Sequence, residues 1–212
     1  GGETRELRCD WLIGADGGSS TVRRASGLSF EGYTHPERLV STNVVYDFEA
    51  RGYARANFII DPVHWAVIVK VDRHGLWRVT YGEDASLPED GVKSRIADHY
   101  RALLPDDGTY QLEAFAPFRV HERSAASFRI GRVLLAGDAA HVCNPFGGLG
   151  LTSGLLDADL LGDALPAVIK RAAPDDLLDR YAEERQRVFR EVTGPTAAEN
   201  KRRLKEIDPE KK

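Results

Sequence analysis

Two glycine–aspartate turns, each placed after an apolar strand and before a helix, constrain this sequence most strongly. The first spans residues 14–18 and contains Asp16, and the second begins at Gly137-Asp138 and leads to the glycine-rich run 147–150. Each turn alone is a common way for a strand to end. In open α/β folds, however, ligands lie at the carboxyl ends of strands, where a helix N-terminus can receive an anion or an electron-rich ring edge. Both turns are therefore candidate ligand sites.

The residues around the first turn predict a strand followed by a short helix. Residues 6–15 alternate loosely and end in an apolar run. The helix is expected from Ser19 or Ser20 to about Ser26, because Ser and Thr side chains can cap free N–H groups at its start. Gly27 can adopt the left-handed conformation that ends a helix.

Between the two turns the hydrophobic period changes to two, which predicts an antiparallel β-meander. The expected strands cover residues 41–48, 56–61, 64–71 and 76–81. An amphipathic helix over residues 92–104, with Asp90 as its cap and Pro105 as its stop, would cover one face of this sheet. Further strands are predicted over residues 110–121 and 132–136.

Two long helices are predicted after the second turn. The first covers about residues 149–170, is apolar on several sides, and is therefore expected to be buried. The second follows residue 176, and Gly194-Pro195 would break it. Thr196 would then open a capping box for a last short helix.

Composition excludes several classes of protein. The 212 residues include 33 acidic and 29 basic side chains, so nucleic acid, which usually meets a basic face, is not an expected partner. Cys9 and Cys143 are too few and too far apart for a disulfide framework, which favours a reducing, cytoplasmic setting. No apolar run approaches the roughly 18 residues of a membrane span. Because methionine is absent, we expect a piece of a longer protein.

Together the two turns resemble the C-terminal flavin-site signatures of FAD-dependent aromatic hydroxylases of the para-hydroxybenzoate hydroxylase type. The family's Asp-Gly-x-x-Ser-x-Val-Arg motif is matched by Asp16, Gly17, Ser20, Val22 and Arg23. Its Gly-Asp-Ala-Ala-His motif, with a downstream Pro and a Gly-rich helix start, is matched over residues 137–152. The sheet between the motifs and the helices after them also follow the family's order. The family's N-terminal Gly-x-Gly-x-x-Gly unit, which holds the ADP part of FAD, is missing from this sequence.

The resemblance implies an α/β (α+β) fold in four segments. Residues 1–27 would end a Rossmann-like FAD-binding domain, 28–132 would form an antiparallel-sheet substrate domain, 133–170 would return to the FAD-binding domain, and 171–212 would form C-terminal helices. Because both turns would end strands of one FAD-binding sheet, we expect Asp16 and Asp138 to lie close together.

The resemblance also implies a cofactor-binding set. Its members are Asp16, Gly17, Arg23, Gly137, Asp138, Pro145, Gly147, Gly150, Leu151 and Thr152. Asp138 would bind the ribityl chain of FAD, while Leu151 and Thr152 would offer backbone N–H groups to the pyrimidine edge of the flavin. Those donors and the positive end of their helix would stabilise negative charge on the reduced flavin.

The remaining members of this set would shape the site. Asp16 and Gly17 would lie near the pyrophosphate, and Arg23 would anchor its own motif. The glycines at 147 and 150 would let the backbone approach the ring without a Cβ clash. Pro145 would lie close to both the flavin and the substrate.

Two residues near the second turn carry chemistry of their own. His141 could act as an acid or base, although a polar supporting role is the favoured interpretation. Cys143 is interpreted as an inert buried thiol. The histidines show no zinc-binding spacing with the cysteines, so no metal is expected. Residues 150–154 do not place serine at the centre of a Gly-x-Ser-x-Gly elbow, which disfavours a serine hydrolase.

The implied function is that of an FAD- and NAD(P)H-dependent monooxygenase that hydroxylates a small aromatic or similarly electron-rich substrate with O₂. No catalytic acid or base follows from the sequence. The alternatives are a non-oxygenating FAD oxidoreductase or halogenase on the same scaffold, and a binding module with a lapsed flavin site. Much of the affinity for FAD would come from the missing glycine-rich unit, so this chain alone is expected to hold FAD weakly and to be inactive.

A substrate pocket for an aromatic ring needs apolar walls and a few polar contacts. Its predicted lining residues are Asn57, Ile59, Trp65, Val67 and Tyr81, with Pro145 closing the flavin side. On the central strand, alternation places Trp65 and Val67 on one face and Ala66 and Ile68 on the other. Ordinary sheet core remains the alternative for these positions, because strands favour β-branched and aromatic residues.

Overall fold

The computed structural model describes residues 5–104 and 109–206. Its strands are β1 (Leu12–Gly14), β2 (Phe30–Val45), β3 (Ala56–Ile59), β4 (Ala66–Lys70), β5 (Leu76–Asp84), β6 (Gln111–Ala125), β7 (Arg129–Ile130), β8 (Val133–Leu135) and β9 (His141–Val142). Its α-helices are α1 (Thr21–Ala25), α2 (Val92–Leu103), α3 (Leu149–Ile169), α4 (Asp176–Val188) and α5 (Gly194–Arg203). The mixed helix and antiparallel-sheet fold class is confirmed.

The described residues form two compact units. Unit 1 contains residues up to 33 together with 121–198, and unit 2 contains residues 34–120 together with those from 199 onward. Strands β2 and β6 each begin in one unit and end in the other. The division into the four segments bounded at residues 27, 132 and 170 stays a prediction.

Unit 1 is built on a small sheet of order β1-β8-β7. β1 runs parallel to β8, with Leu12 opposite Val133, and β7 pairs with β8 in the antiparallel sense. Helices α3 and α4 each pack one face against this sheet, in a core that includes Phe128, Leu134, Leu135, Leu161 and Leu178. The first predicted helix is confirmed as α1, with Ser20 as its cap and Gly27 at a φ of +72° beyond its end.

Unit 2 is built on an antiparallel sheet in which β3, β4, β5, β2 and β6 are neighbours in that order. The meander of β3, β4 and β5 is confirmed. The position of the first predicted strand is wrong, because β2 lies beside β5, with Glu37 opposite Asp84 and Val45 opposite Leu76. Strands that follow one another in sequence are only usually neighbours, and the hydrophobic period carries no information on which strands pair.

Helix α2 covers one face of this sheet, as predicted. Its inner residues Val92, Ile96 and Tyr100 pack on a core that includes Ile68 and Trp77. The predicted cap is wrong, because Asp90 lies in a 3₁₀ turn and Gly91 occupies the cap position without a side-chain hydrogen bond. Pro105, the predicted stop, lies outside the described residues.

Helix α3 is buried on one side only, which corrects the expectation of a fully buried helix. Ser153, Asp157, Leu161 and Ala164 are its buried residues. Leucines at positions 151, 155, 156 and 160 are exposed, and Leu151 keeps 75% of its surface accessible. The physical reason is that an apolar helix becomes buried all round only where partners lie on every side. No helix in the described part of the chain is long and apolar enough to cross a membrane.

The predicted break at Gly194-Pro195 is also wrong, because the helical path continues from α4 into α5. A π-helical turn over Phe189–Thr193 joins them. Proline lacks the N–H of the regular helix ladder and its ring crowds the preceding turn, and the wider turn accommodates both effects. The helix therefore changes to π-type hydrogen bonds at this point instead of ending. No side-chain cap from Thr196 is present among the described contacts.

A histidine on α2 is held in a partly apolar setting in unit 2. The ring of His99 stacks on Tyr81, with centroids 3.6 Å apart and an interplanar angle of 12°, and the ring of His64 is 5.8 Å away. Burial and, to a smaller extent, the charge of His64 lower the pKa of His99 to about 4, against an opposing effect of the Glu83 carboxylate. Neutral His99 is therefore the form that the fold accommodates.

Protonation of His99 should destabilise the protein as the pH falls from about 6.5 to about 4. The unfolded chain takes up the proton first, so the loss is absent above pH 7 and reaches about 2 kcal/mol at pH 5. The variant His99→Phe keeps the stacked ring without the titrating nitrogen and should lose less stability across this range. Urea unfolding of both proteins at pH 7.5 and pH 5 measures the difference, and equal losses would contradict the prediction.

Candidate functional site

The two glycine–aspartate turns lie side by side at one edge of the parallel strand pair. Gly14, the last residue of β1, is opposite Leu135, the last residue of β8. The next residue, Ala136, donates its N–H to the carbonyl of Gly14 over 3.0 Å. Asp16 and Asp138 follow these strand ends directly. The expectation that their turns lie close together is therefore confirmed.

Arg23 on α1 joins the two turns. Its guanidinium donates through Nη1 to the carbonyl of Ala139 and through Nη2 to the carbonyl of Gly18, both over 2.7 Å. The guanidinium carbon lies 3.6 Å from the ring centre of Phe30, and the residue is 4% exposed. Such charge-assisted hydrogen bonds are stronger than neutral ones. Arg23 thus anchors its own motif and also holds the second motif against it.

The carboxylate of Asp16 is used within its own motif. It accepts hydrogen bonds from the hydroxyl of Ser20 and from the backbone N–H groups of Thr21 and Val22, the last two over 2.6 and 3.2 Å. The hydrogen bond from Ser20 lowers its pKa to about 2. Gly17 follows at a φ of +82°, a region that favours glycine. Asp16 therefore fixes the start of α1, and its predicted place near the pyrophosphate stays a prediction.

Asp138 differs from Asp16 in having an unengaged side chain. Its carboxylate is exposed and makes no hydrogen bond or ion pair with the residues that the structure describes. The preceding Gly137 adopts a φ of +58° in a 3₁₀ turn over residues 137–139. Since the carboxylate has no such partner of its own, the backbone of the turn determines where it points.

The loop between Asp138 and α3 is shaped by a buried amide. Asn144 donates its backbone N–H and its Nδ2 to Oε1 of Glu122 over 3.1 and 2.6 Å. Its Oδ1 accepts the N–H of Phe146 over 3.0 Å. These bonds leave Pro145 exposed at the tip of a tight turn, in which Gly148 donates to the carbonyl of Pro145 over 3.2 Å.

Helix α3 begins without a side-chain cap. Gly148 occupies the cap position at a φ of +68°, and Gly147 before it has a φ of +102°. The first N–H groups of a helix have no partner within the helix, and they carry its positive end. Thr152 donates its N–H to the carbonyl of Gly148 over a long 3.4 Å. A side chain at Gly150 would meet only Sγ of Cys143, at 3.7 Å, so the chain's own packing does not require this glycine.

Exposure separates the predicted cofactor contacts from the residues that support them. Around the second turn, the exposed predicted contacts are Asp138, Pro145, Gly147, Leu151 and Thr152, while Gly137 and Gly150 are half-buried. The buried supports are His141, Asn144, Phe146, Ser153 and Asp157. A free carboxylate, a turn without Cβ atoms and an uncapped helix end all belong to the exposed set. This donor and acceptor arrangement fits the sugar alcohol and polar ring edge of a flavin nucleotide.

A buried carboxylate on α3 holds the second turn from below. Asp157 accepts hydrogen bonds from the N–H of Gly137 over 2.9 Å, from Nε2 of His141 over 2.7 Å and from Nε of Arg185 over 2.6 Å. Although burial raises its pKa, the hydrogen bonds from His141 and Arg185 hold the pKa of Asp157 below its ordinary value. Our sequence reasoning missed this residue. The available signal was an acidic residue placed four positions after Ser153 on the predicted buried face of an apolar helix.

The surroundings of His141 and Cys143 favour supporting roles over reactive ones. The imidazole of His141 lies between the rings of Phe128 and Phe189, with centroids at 5.6 and 4.6 Å. Together with its bond to Asp157, this agrees with a supporting role. Burial raises the pKa of Cys143 to about 11, so the thiol stays protonated. Among the described residues, no group of three or more His, Cys, Asp or Glu side chains could hold a metal ion.

Most of the chain matches a known protein family. Residues 1–196 match the family model described as the FAD binding domain. The chain belongs to this family. The resemblance to FAD-dependent aromatic hydroxylases is confirmed by relatives of the same kind, and the expectation of FAD as cofactor is confirmed at the level of the family.

Two curated relatives are enzymes of this class. The chain is 54% identical over 211 residues to para-nitrophenol 4-monooxygenase of Pseudomonas sp. (strain WBC-3), covering 98% of this chain and 52% of that protein. It is 45% identical over 196 residues to 6-hydroxy-3-succinoylpyridine 3-monooxygenase of Pseudomonas putida (strain DSM 28022 / S16), covering 92% and 50% respectively. The chain thus spans about half the length of the curated relatives it matches.

Solved structures agree with this family. A crystal structure of p-nitrophenol 4-monooxygenase from Pseudomonas putida DLL-E4 superposes with a TM-score of 0.88 at 53% identity, covering 94% of this chain and 51% of the other. A flavin-dependent monooxygenase solved with FAD and substrate gives a TM-score of 0.80 at 26% identity, covering 93% and 36%. The family's fold therefore extends over nearly all of this chain.

The predicted substrate residues do not share one face of the unit 2 sheet. Residues opposite each other in an antiparallel pair lie on the same face. Ala66 is opposite both Ile59 and Tyr81, and Ile68 is opposite Asn57. Ile59 and Tyr81 thus belong to the face that α2 covers, where Tyr81 is 2% exposed. The amide of Asn57 bonds to backbone groups of Ala54, which gives it a structural use.

Val67 lies on the opposite, less covered face of the sheet. Alternation assigns Trp65, directly before β4, to the same face, but its own ring is buried at 2% exposure. Val67 is opposite Thr80 and Phe58, and Phe58 is 55% exposed. The ring of Trp65 covers Gly82, where a Cβ atom would come within 2.5 Å of it. The expected alternation along β4 is therefore confirmed, while the five candidates divide between two faces.

Replacing Arg23 by Lys should weaken the connection between the two turns. Lysine has a single ammonium group in place of the planar guanidinium, so at least one of the two hydrogen bonds to backbone carbonyls is lost. We expect a loss of about 2 kcal/mol in the free energy of unfolding, measured in urea. Arg24→Lys is the matched control, because Arg24 is exposed and bonds only within its own helix region. Equal losses in both variants would contradict the assigned role.

Proposed function

We propose that this chain is part of an FAD-dependent monooxygenase that hydroxylates a small aromatic substrate with NAD(P)H and O₂. The observation that carries the proposal is the set of exposed hydrogen-bonding groups between Asp138 and Thr152, held in place by buried polar residues beneath them. Membership of the FAD binding domain family and the named relatives support it. The thiols of Cys9 and Cys143 are free, which fits a cytoplasmic location.

The roles of the chain's own residues follow from their chemistry. The free carboxylate of Asp138 would accept hydrogen bonds from the ribityl hydroxyls of FAD. The uncapped N–H groups at the start of α3 would favour negative charge on the pyrimidine edge of the ring. The glycines at 147 and 150 would let the backbone approach the ring plane. When bound, FAD supplies the redox chemistry and the activation of O₂.

The substrate class follows from the relatives and from the open sheet face. Both named relatives carry in their names an aromatic ring with a hydroxyl group, a nitrophenol and a hydroxypyridine. The less covered face of the sheet offers the apolar Val67 beside the hydroxyls of Ser41 and Thr80, which lie 3.4 Å apart. Apolar walls with a few polar groups suit such a ring. We therefore propose a phenol or hydroxypyridine, with Trp65 and Val67 as lining residues.

The full-length protein tests the proposal directly. We expect it to purify with flavin absorbance and to consume O₂ with NAD(P)H when 4-nitrophenol is added, with a hydroxylated product in proportion. Flavin reduction without a hydroxylated product would favour a non-oxygenating oxidoreductase, and chlorinated product in the presence of chloride would favour a halogenase. A protein that binds no flavin would be a binding module. The 212-residue chain serves as a control and should retain FAD weakly.

Enlarging Val67 should alter substrate use without displacing FAD. In the full-length enzyme, Val67→Phe would narrow the open face, so we expect KM for the phenol to rise about 10-fold or hydrogen peroxide to replace product. Val71→Phe is the control, since Val71 is exposed and lies directly after the end of β4. Product and peroxide are quantified together with bound flavin. Unchanged kinetics in folded Val67→Phe would assign this residue to the sheet core.

A further inference from the structure

Asp157 and its partners form a buried polar cluster directly beneath the second turn. Oδ2 of Asp157 accepts both the Gly137 N–H and Nε2 of His141, while Oδ1 accepts Nε of Arg185. Arg185 also donates through Nη2 to the carbonyl and hydroxyl of Ser153, over 3.2 and 2.9 Å. Asp157 is 0% exposed and Arg185 is 4% exposed. Every member of this Asp157 cluster lies in unit 1.

The charges of the cluster balance only if the imidazole is neutral. The carboxylate of Asp157 and the guanidinium of Arg185 cancel, and an unpaired buried charge would be costly. Nδ1 of His141 is buried without a hydrogen-bond partner among the described residues, so this nitrogen has no acceptor for a proton. The tautomer that fits donates through Nε2 to Asp157. The Asp157 cluster is therefore a neutral unit with its donors directed at one carboxylate.

Helix α3 contacts the turn at two points. The first is the hydrogen bond from Gly137 to Asp157. The second lies one helical turn earlier, where a Cβ atom on Gly154 would come within 3.3 Å of Cα of Gly137. The turn therefore rests on α3 at Gly137, the left-handed residue directly before Asp138.

We propose that Asp157 is a positioning residue for FAD, which sets the direction of the Asp138 carboxylate by holding the N–H of Gly137. Asp138 has no side-chain partner among the described residues, so its backbone is the means of orienting it. Arg185 and His141 in turn hold Asp157. The inference rests on the proposed function in so far as FAD is the ligand that Asp138 meets.

The test uses the full-length protein and measures FAD binding without turnover. Asp157→Asn keeps the shape but places an amide N–H₂ against one of the donors, so the turn loses a partner. We expect the dissociation constant of FAD to rise about 10- to 100-fold, with a changed visible circular dichroism band of the bound flavin. Tyr181→Phe is the matched control, because it removes a buried hydrogen bond from α4 to the carbonyl of Leu135 at the end of β8 and leaves the hydrogen bond of Gly137 in place.

A double variant separates positioning from general stabilisation. If Asp157 acts through Asp138, Asp138→Ala alone should weaken FAD binding, and adding Asp157→Asn should weaken it little further. Additive losses, or an FAD affinity in Asp157→Asn equal to that of Tyr181→Phe, would overturn the proposal. Should Asp157→Asn fail to fold, Arg185→Lys provides the second variant, with a smaller loss of FAD affinity expected and an unchanged affinity as the contrary result. A wild-type protein that holds no FAD would refute the proposed function instead.

Discussion

The parallel pairing of β1 with β8 is the interaction on which the candidate site depends. It joins residues separated by about 120 positions in sequence, Leu12 to Val133 and Gly14 to Leu135. The pairing is close, because a Cβ atom on Gly14 would lie 2.8 Å from the side chain of Leu135 and 2.9 Å from that of Val22. A larger residue at position 14 would separate the strands and with them the two turns. The glycine is thus required for strand contact and not only for a bend.

The sequence allowed prediction of the features that depend on neighbours along the chain. The start of α1 at Ser20 and its end before Gly27 follow from a capping serine and a breaker glycine. The extents of α2 and α3 follow from their hydrophobic periodicity, although the cap predicted for α2 is wrong. Sheet order did not follow, since the placement of β2 beside β5 depends on contacts between residues some 40 positions apart. The one-sided exposure of α3 was missed for a similar reason, because hydropathy records what a face could bury and not whether a partner is present.

The candidate site likewise contains residues that the sequence predicted and residues that it did not. A family motif consists of the residues that recur where the ligand binds. It therefore allowed us to propose Asp138, Pro145 and the glycines at 147 and 150. The groups beneath them, Glu122 and Asp157, come from other parts of the chain and form no local pattern. Their roles depend on burial, which makes an acidic side chain costly unless donors surround it. Only coordinates reveal that Asp157 has three such donors.

The contrast between the two thiols has a practical consequence for labelling chemistry. Thiol-directed reagents attack the thiolate, and the half-buried Cys143, with its pKa of about 11, offers almost none of it near neutral pH. Cys9 is exposed and lies three residues before β1. On this chain, a maleimide dye added near pH 7 should therefore attach at Cys9. Such a fluorophore would sit close to the parallel strand pair and could serve as an optical reporter of that region without any cysteine being engineered.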